Sequence, residues 1–299
     1  MTSPSTAIQP AKVVILTMDT HLNSAAHKAR ENLLRYIPGL NFAIHSASEY
    51  TADANKLLRC KTDIANADII VVTMLFLEDH FQPILPDLQA RRESCAAMVC
   101  IMSAAEVVKL TRMGKLDMGK PSTGPMAFLK KLRGSKPHAG QDASAGARQM
   151  KMLRRLPQIL RFVPGTAQDL RAYFLTLQYW LGGSQENIHQ LVLYLVDRYA
   201  RHALPPDLPA IKVAAPAEYP EVGVYHPRMQ PRLCDDLGQL PQVVKPKEAK
   251  GRVGVLLLRS YLIASNTQHY DAVIAALEVQ GLQAVPVFAT GLDARPAIE

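Results

Sequence analysis

Short apolar runs rich in β-branched residues recur along the first third of the chain, at Lys12 to Met18, Asn41 to Ser46, Asp68 to Phe76 and Ala97 to Met102. Such runs predict buried strands. Between them, Leu22 to Ile37, Ala52 to Asn66, Leu77 to Arg92 and Ala104 to Met113 carry apolar residues at helical spacing. Strand alternating with helix predicts a doubly wound parallel sheet, an α/β domain over residues 10–115. From Thr166 the pattern turns purely helical. Thr166 stands where an N-cap belongs, with Ala167, Leu170, Phe174, Leu177 and Leu181 along one face. Trp180, on or beside that face, reads as core. Gly182-Gly183 stops this helix, and Ser184 caps a second one carrying Ile188, Leu191, Val192 and Leu195. Residues 204–250 hold nine prolines and little periodicity, which predicts an ordered connector or extended arm. A final β-α-β pattern, Arg252 to Leu258, Gln268 to Gln280 and Ala284 to Ala289, opens a second α/β domain with nothing evident to complete its sheet. Five parts follow: a flavodoxin-like head at 10–115, a basic loop at 116–148, a helical neck at 149–203, a connector at 204–250, and the start of a body at 251–299. The last part stops so soon after its second strand that Glu299 is expected to be a boundary inside a longer protein.

Charge sharpens one part of this picture. Thirteen Lys and Arg lie between Lys109 and Arg161 against Asp117 and Asp142 alone, so this segment exceeds the net +8 of the whole 299-residue chain. Its centre is rich in Gly, Pro, Ser and Lys, which predicts a mobile loop. Lys130, Lys131 and Arg133 are its candidate docking residues for an acidic partner or anionic lipid, with a plain solvated loop as the alternative. Phe128 is its single aromatic, too few for a nucleic-acid stacking platform. No apolar run reaches the length of a membrane span. The four cysteines show no metal or disulfide spacing, which fits a reducing compartment.

Candidate chemistry is sparse. The first strand-to-helix turn, Thr17 to His21, has no glycine, so it lacks a phosphate-cradling loop; Asp19 and His21 there are weak ligand candidates. Leu77-Glu78-Asp79-His80 offers oxygen donors that suit magnesium, or acidic residues placed favourably at a helix start. No zinc or covalent-nucleophile signature occurs, so no catalytic residue is assigned and any metal ligand is unknown. Tyr225, His226 and Arg228 in the connector form the leading substrate-binding candidate, with Arg228 for a carboxylate and His226 for a metal or ring nitrogen. The same Tyr-His-Pro could instead fix a turn.

Four separated segments carry a resemblance in the same order. Leu153 to Ala200, with its LQYWLGGS run followed by an amide or acidic residue and Asn, closely resembles the large H subunit of the magnesium chelatase family. Ser103 to Gly124 is similar to the segment that precedes that run. Val222 to Pro227 and Val253 to Asp293 resemble the entry to the chelatase body, shared more loosely with the cobaltochelatase large subunit. The resemblance implies a porphyrin-binding subunit that takes protoporphyrin IX and Mg²⁺ as substrates in chlorophyll or bacteriochlorophyll synthesis. It implies ATP bound mainly by two smaller motor subunits, with a downstream methyltransferase as a further partner. The location it implies is the cytoplasm, at the periphery of photosynthetic membranes, or the plastid stroma in a plant or alga. Alternatives are a cobaltochelatase-like subunit acting on a corrin, or a non-catalytic docking and regulatory module.

Overall fold

The computed structural model describes residues 10–120, 156–245, 247–290 and 293–298. Strands β1 (Lys12–Thr17), β2 (Asn41–Ser46), β3 (Ile69–Thr73) and β4 (Ala97–Ile101) pair in parallel in the order β2-β1-β3-β4. Two-residue strands β5 (Arg112–Met113) and β6 (Leu116–Asp117) extend the sheet antiparallel beyond β4. Successive side chains of a strand point to opposite faces, so the continuous apolar runs feed two cores. Val13, Ile15, Val71 and Val99 join one buried cluster, while Val14, Leu16, Ile70, Val72 and Met98 join the other.

Helices α1 (Asn23–Tyr36), α2 (Ala47–Tyr50) and α3 (Ala54–Ala65) follow the first two strands. The stretch from Leu77 to Arg92, expected as one helix, is broken into α4 (Glu78–Phe81) and α5 (Leu85–Arg91). Pro83 cannot donate to the helix ladder, and Pro86 suits only a first turn, where α5 places it. The helix expected over Ala104 to Met113 is only one turn, α6 (Ala105–Val108). Gly114, at φ 56°, then turns the chain into the β5–β6 hairpin.

Helices α7 (Thr166–Gly182) and α8 (Gln185–Tyr199) form the expected helical hairpin. Gly183 at φ 56° closes α7, and the Ser184 hydroxyl accepts the Asn187 N–H at 3.1 Å as the N-cap of α8. Thr166 is the first helical residue, and Gly165 at φ 77° takes the cap position expected of Thr166. The pair does not stand apart from the head. Leu191, Val192, Leu195 and Trp180 share one buried cluster with β1, β3 and β4, packing beside the small residues Ala25, Ala26 and Ala29 of α1. α7 is apolar around much of its circumference, and such a helix buries both sides.

The connector contributes structure of its own. Strands β7 (Val222–Tyr225) and β8 (Leu233–Cys234) arise within it and pair antiparallel. With β9 (Gly251–Leu258) and β10 (Leu282–Ala289) they form a sheet of order β8-β7-β10-β9, so the sheet expected to lack partners is completed from inside the connector. Proline spares β7 and β8, and Gly223 permits their contact, because a Cβ there would meet the Cys234 carbonyl oxygen at 2.0 Å. Helices α9 (Arg259–Ile263) and α10 (Gln268–Val279) follow β9, and α11 (Arg295–Ile298) follows β10. Tyr225, Leu257, Ile274 and Phe288 form the core between this sheet and α10. Among the described residues no helix is long and apolar enough to cross a membrane.

Candidate functional site

Tyr225 ends β7 and His226 begins the tight hairpin to β8, where the His226 N–H donates to the Arg232 carbonyl at 3.1 Å. The structure brings Tyr225, His226 and Arg228 together, and each is engaged by α10. The Tyr225 hydroxyl donates to Asp271, which also accepts from Thr267 Oγ1 at 3.2 Å. Burial raises the Tyr225 pKa to about 12, and the Asp271 hydrogen bond adds to the rise. His226 is 1% exposed; its Nδ1 accepts the Arg228 N–H at 3.1 Å. An acceptor Nδ1 puts the proton of a neutral ring on Nε2, which points at Glu278 Oε1, 2.9 Å away. Arg228 Nη2 lies 3.3 Å from Glu278 Oε2, with its side chain 58% exposed. As placed, Tyr225 and His226 tie β7 to α10, and Arg228 alone presents charge at the surface.

Tyr225 also forms part of the wall of a cavity of about 460 Å³ where the two sheets' units meet. Asn32 of α1, His189 of α8, Tyr219, Arg232 and Ser265 line it too. Ser24 Oγ of α1 donates to the Ala264 carbonyl at 3.2 Å, joining the same two units nearby. His189 stacks edge-on against Tyr36 at 5.8 Å, and its Nε2 is buried without a hydrogen-bond partner. Aromatic rings and the Arg232 guanidinium suit a flat ligand with an anionic substituent turned away from Glu186, which lines the same cavity. Sequence reasoning found Tyr225 but missed Asn32, His189 and Arg232. These residues come from three distant segments, and no local spacing marks them.

Burial lowers the His189 pKa below its ordinary 6.5, against the opposing charge of Glu186. Burial likewise lowers His45, against its hydrogen bond and charge interaction with Asp63. The native rings therefore resist protonation that the unfolded chain accepts. Their contribution to stability is complete above pH 6.5 and is lost as pH falls below that value. Thermal midpoints fall between about pH 7 and about pH 5, and His189→Gln flattens that fall, as scanning calorimetry would record. Equal slopes in the two proteins would deny His189 its part.

The remaining sequence candidates are dispersed. Glu78 and Asp79 are exposed on α4, and among the described residues no group of three or more His, Cys, Asp or Glu could hold a metal. Lys130, Lys131 and Arg133 lie outside the described residues.

Residues 12–174 match the family described as a domain of unknown function, DUF3479, and residues 177–299 match CobN/Magnesium Chelatase. The magnesium-chelatase H subunit of Cereibacter sphaeroides is 47% identical over 96% of this chain and 23% of its own length. The chloroplastic magnesium-chelatase subunit ChlH of Oryza sativa subsp. indica is 29% identical over 77% of this chain and 17% of its own. The chain thus spans about a quarter of the length of the curated relatives it matches. A solved catalytic subunit of cobaltochelatase from Mycobacterium tuberculosis aligns over 94% of this chain and 16% of its own, with TM-score 0.45 and 14% identity.

Proposed function

Because the chain belongs to the DUF3479 family in its first half and to the CobN/Magnesium Chelatase family in its second, we propose that it is an N-terminal part of the porphyrin-binding subunit of a magnesium chelatase. The observation that carries this reading is the 47% identity to a magnesium-chelatase H subunit, which runs through both matched regions and 96% of the chain. The reaction proposed for the whole protein places substrate Mg²⁺ in protoporphyrin IX for chlorophyll or bacteriochlorophyll synthesis. Mg²⁺ sheds its water shell reluctantly and prefers octahedral oxygen ligands, so insertion needs work, which ATP hydrolysis on two smaller partner subunits would supply.

In this reading the junction cavity receives the rim of the porphyrin. Arg232 and the exposed Arg228 pair with its carboxylates, Tyr219 and His189 contact the ring, and Tyr225 and His226 hold the wall in place. Metal insertion itself is assigned to none of these residues. The basic segment docks the motor subunits through Lys130, Lys131 and Arg133. Reversing all three to Glu is expected to weaken assembly about tenfold, as sedimentation or pull-down titration would measure. Assembly unchanged by the triple reversal would remove that role. The protein would work in the cytoplasm beside photosynthetic membranes, or in the plastid stroma if its source is a plant or alga, handing its product to a methyltransferase.

The test of the whole reading is a chimera in which this chain replaces the matching segment of the Cereibacter sphaeroides H subunit. Magnesium insertion retained with the motor subunits supports it. A folded, assembled chimera without insertion overturns it. Titration of the chain with a water-soluble porphyrin tests the cavity separately. Arg232→Glu should weaken binding about tenfold, and unchanged affinity would place the porphyrin elsewhere.

A further inference from the structure

The outer side of β2 is unpaired among the described residues, because β2 stands at the end of the first sheet. The Asn41 N–H donates inward to the Ala11 carbonyl at 2.9 Å, and parallel pairing to β1 continues without a bulge through Ser46. Backbone direction alternates along a strand, so the N–H and C=O groups of Phe42 and Ile44 point away from the sheet. Natural edge strands are usually blunted by charge, proline, a bulge or very short length. The opposite edge of this sheet follows that rule, since β6 has two residues and its Asp117 is tied to Arg92. Asn41-Phe-Ala-Ile-His-Ser has six residues and none of those devices.

This bare edge is the floor of a groove of about 460 Å³ lined by all six residues of β2. α1 supplies one wall with His27 and Arg30, and α2 and α3 supply the other with Glu49, Lys56, Arg59 and Asp63. The acids are already neutralised inside the chain. Glu49 pairs with Lys56 at 3.0 Å, and Asp63 is held by Lys12 and His45, each at 2.7 Å. Burial opposes the Asp63 charge, but hydrogen bonds from Lys12 and His45 outweigh it and lower the pKa of Asp63, so its carboxylate stays occupied. Arg30 and Arg59 are exposed on opposite walls and have no acidic partner among the described residues. The groove therefore presents a row of unpaired backbone groups between two uncompensated guanidinium ions.

We propose that this groove binds an extended acidic peptide segment of a partner protein, which adds to the head sheet as a strand beside β2. Backbone hydrogen bonds to Phe42 and Ile44 supply the pairing, and carboxylates reaching Arg30 and Arg59 supply the charge selection. The uncharged edge alone would accept any strand; the two arginines select against basic ones. The surface is separate from the porphyrin cavity, so either reading can fail without the other.

The test uses the full chain and a fluorescein-labelled ten-residue peptide of alternating Glu and Val, followed by anisotropy. Three controls accompany it: the same peptide with Lys for Glu, the acidic peptide N-methylated at alternate amides, and the chain carrying Arg30→Glu with Arg59→Glu. Saturable binding of the acidic peptide alone, weakened about tenfold or more both by the double reversal and by N-methylation, supports the proposal. Both substitutions are on exposed helical positions, so the variant should fold, and circular dichroism checks that it does. Equal affinity for the Lys peptide, indifference to N-methylation, or no binding at all would overturn it. So would concentration-dependent dimerisation of the chain that excludes the peptide, since the edge would then serve a second copy.

Discussion

Asp169→Ala lowers the stability of the folded chain by about 2 to 4 kcal/mol, the cost of leaving partly buried donors without their carboxylate acceptor. Asp169 is 6% exposed and joins three elements at once. Its Oδ2 accepts the Lys115 N–H of the β5–β6 turn at 2.8 Å, and its Oδ1 accepts from Arg198 at 3.0 Å and the Tyr199 hydroxyl at 2.9 Å at the end of α8. Truncation leaves a solvent-accessible guanidinium, a partly buried phenol and the Lys115 N–H without their acceptor. Burial opposes the Arg198 charge, but hydrogen bonds from Tyr199 and Asp169 outweigh it and raise the Arg198 pKa above its ordinary value; without Asp169 the guanidinium stays charged because arginine does not deprotonate in proteins. Gly114 sits directly over the carboxylate, where a Cβ would meet Asp169 Oδ2 at 2.5 Å, and as a glycine it offers no side chain to fill the gap. Urea denaturation measures the loss, and Asp169→Asn, which keeps the shape without the charge, should retain part of it. Full stability in Asp169→Ala would mean that the α7–α8 pair is held to the head without this network, by apolar packing and the Tyr173 hydroxyl bond to the Cys100 carbonyl.

His226→Ala is expected to have a comparable effect, about 3 to 5 kcal/mol, localised in the second sheet. Glu278 is 7% exposed at its side chain, and without the imidazole its one remaining ionic partner among the described residues is the surface-lying Arg228. A buried carboxylate left with a screened partner is costly; removing both groups is much less so. The double variant His226→Ala with Glu278→Leu should therefore regain most of the stability lost in the single one. Hydrogen exchange would show β7 and α10 opening in the single variant while β1, β3 and β4 keep their protection. Opening of both sheets together would mean that the two units fold as one.

How far the site was legible in the sequence depended on whether its residues are neighbours in the chain. Tyr225, His226 and Arg228 stand within four positions, so their convergence could be expected, but their partners Asp271 and Glu278 lie half a hundred residues away on α10. The cavity residues Asn32 and His189 were silent for the same reason, whereas Arg232, four positions after Arg228, is near in the chain but carries no motif of its own. The groove along β2 was hidden differently. A buried apolar run reads alike in a central and an edge strand, and only strand order exposes the outer side of Asn41–Ser46.

By itself the sequence determined the elements whose cause is local. Continuous β-branched runs made β1, β3 and β4, helical spacing made α1, α3, α7 and α8, and Gly183 with Ser184 set the break between the last two. Its four separated motifs also carried the chelatase resemblance, because those residues are distinctive in type and order. Tertiary structure alone decided that α7 and α8 cover the head sheet and that β7 and β8 complete the second sheet. It alone paired two of the three connector candidates, Tyr225 and His226, with Asp271 and Glu278 of α10. The physical reason is that periodicity reports which face of an element is apolar, whereas the partner of that face is chosen by packing among all faces at once.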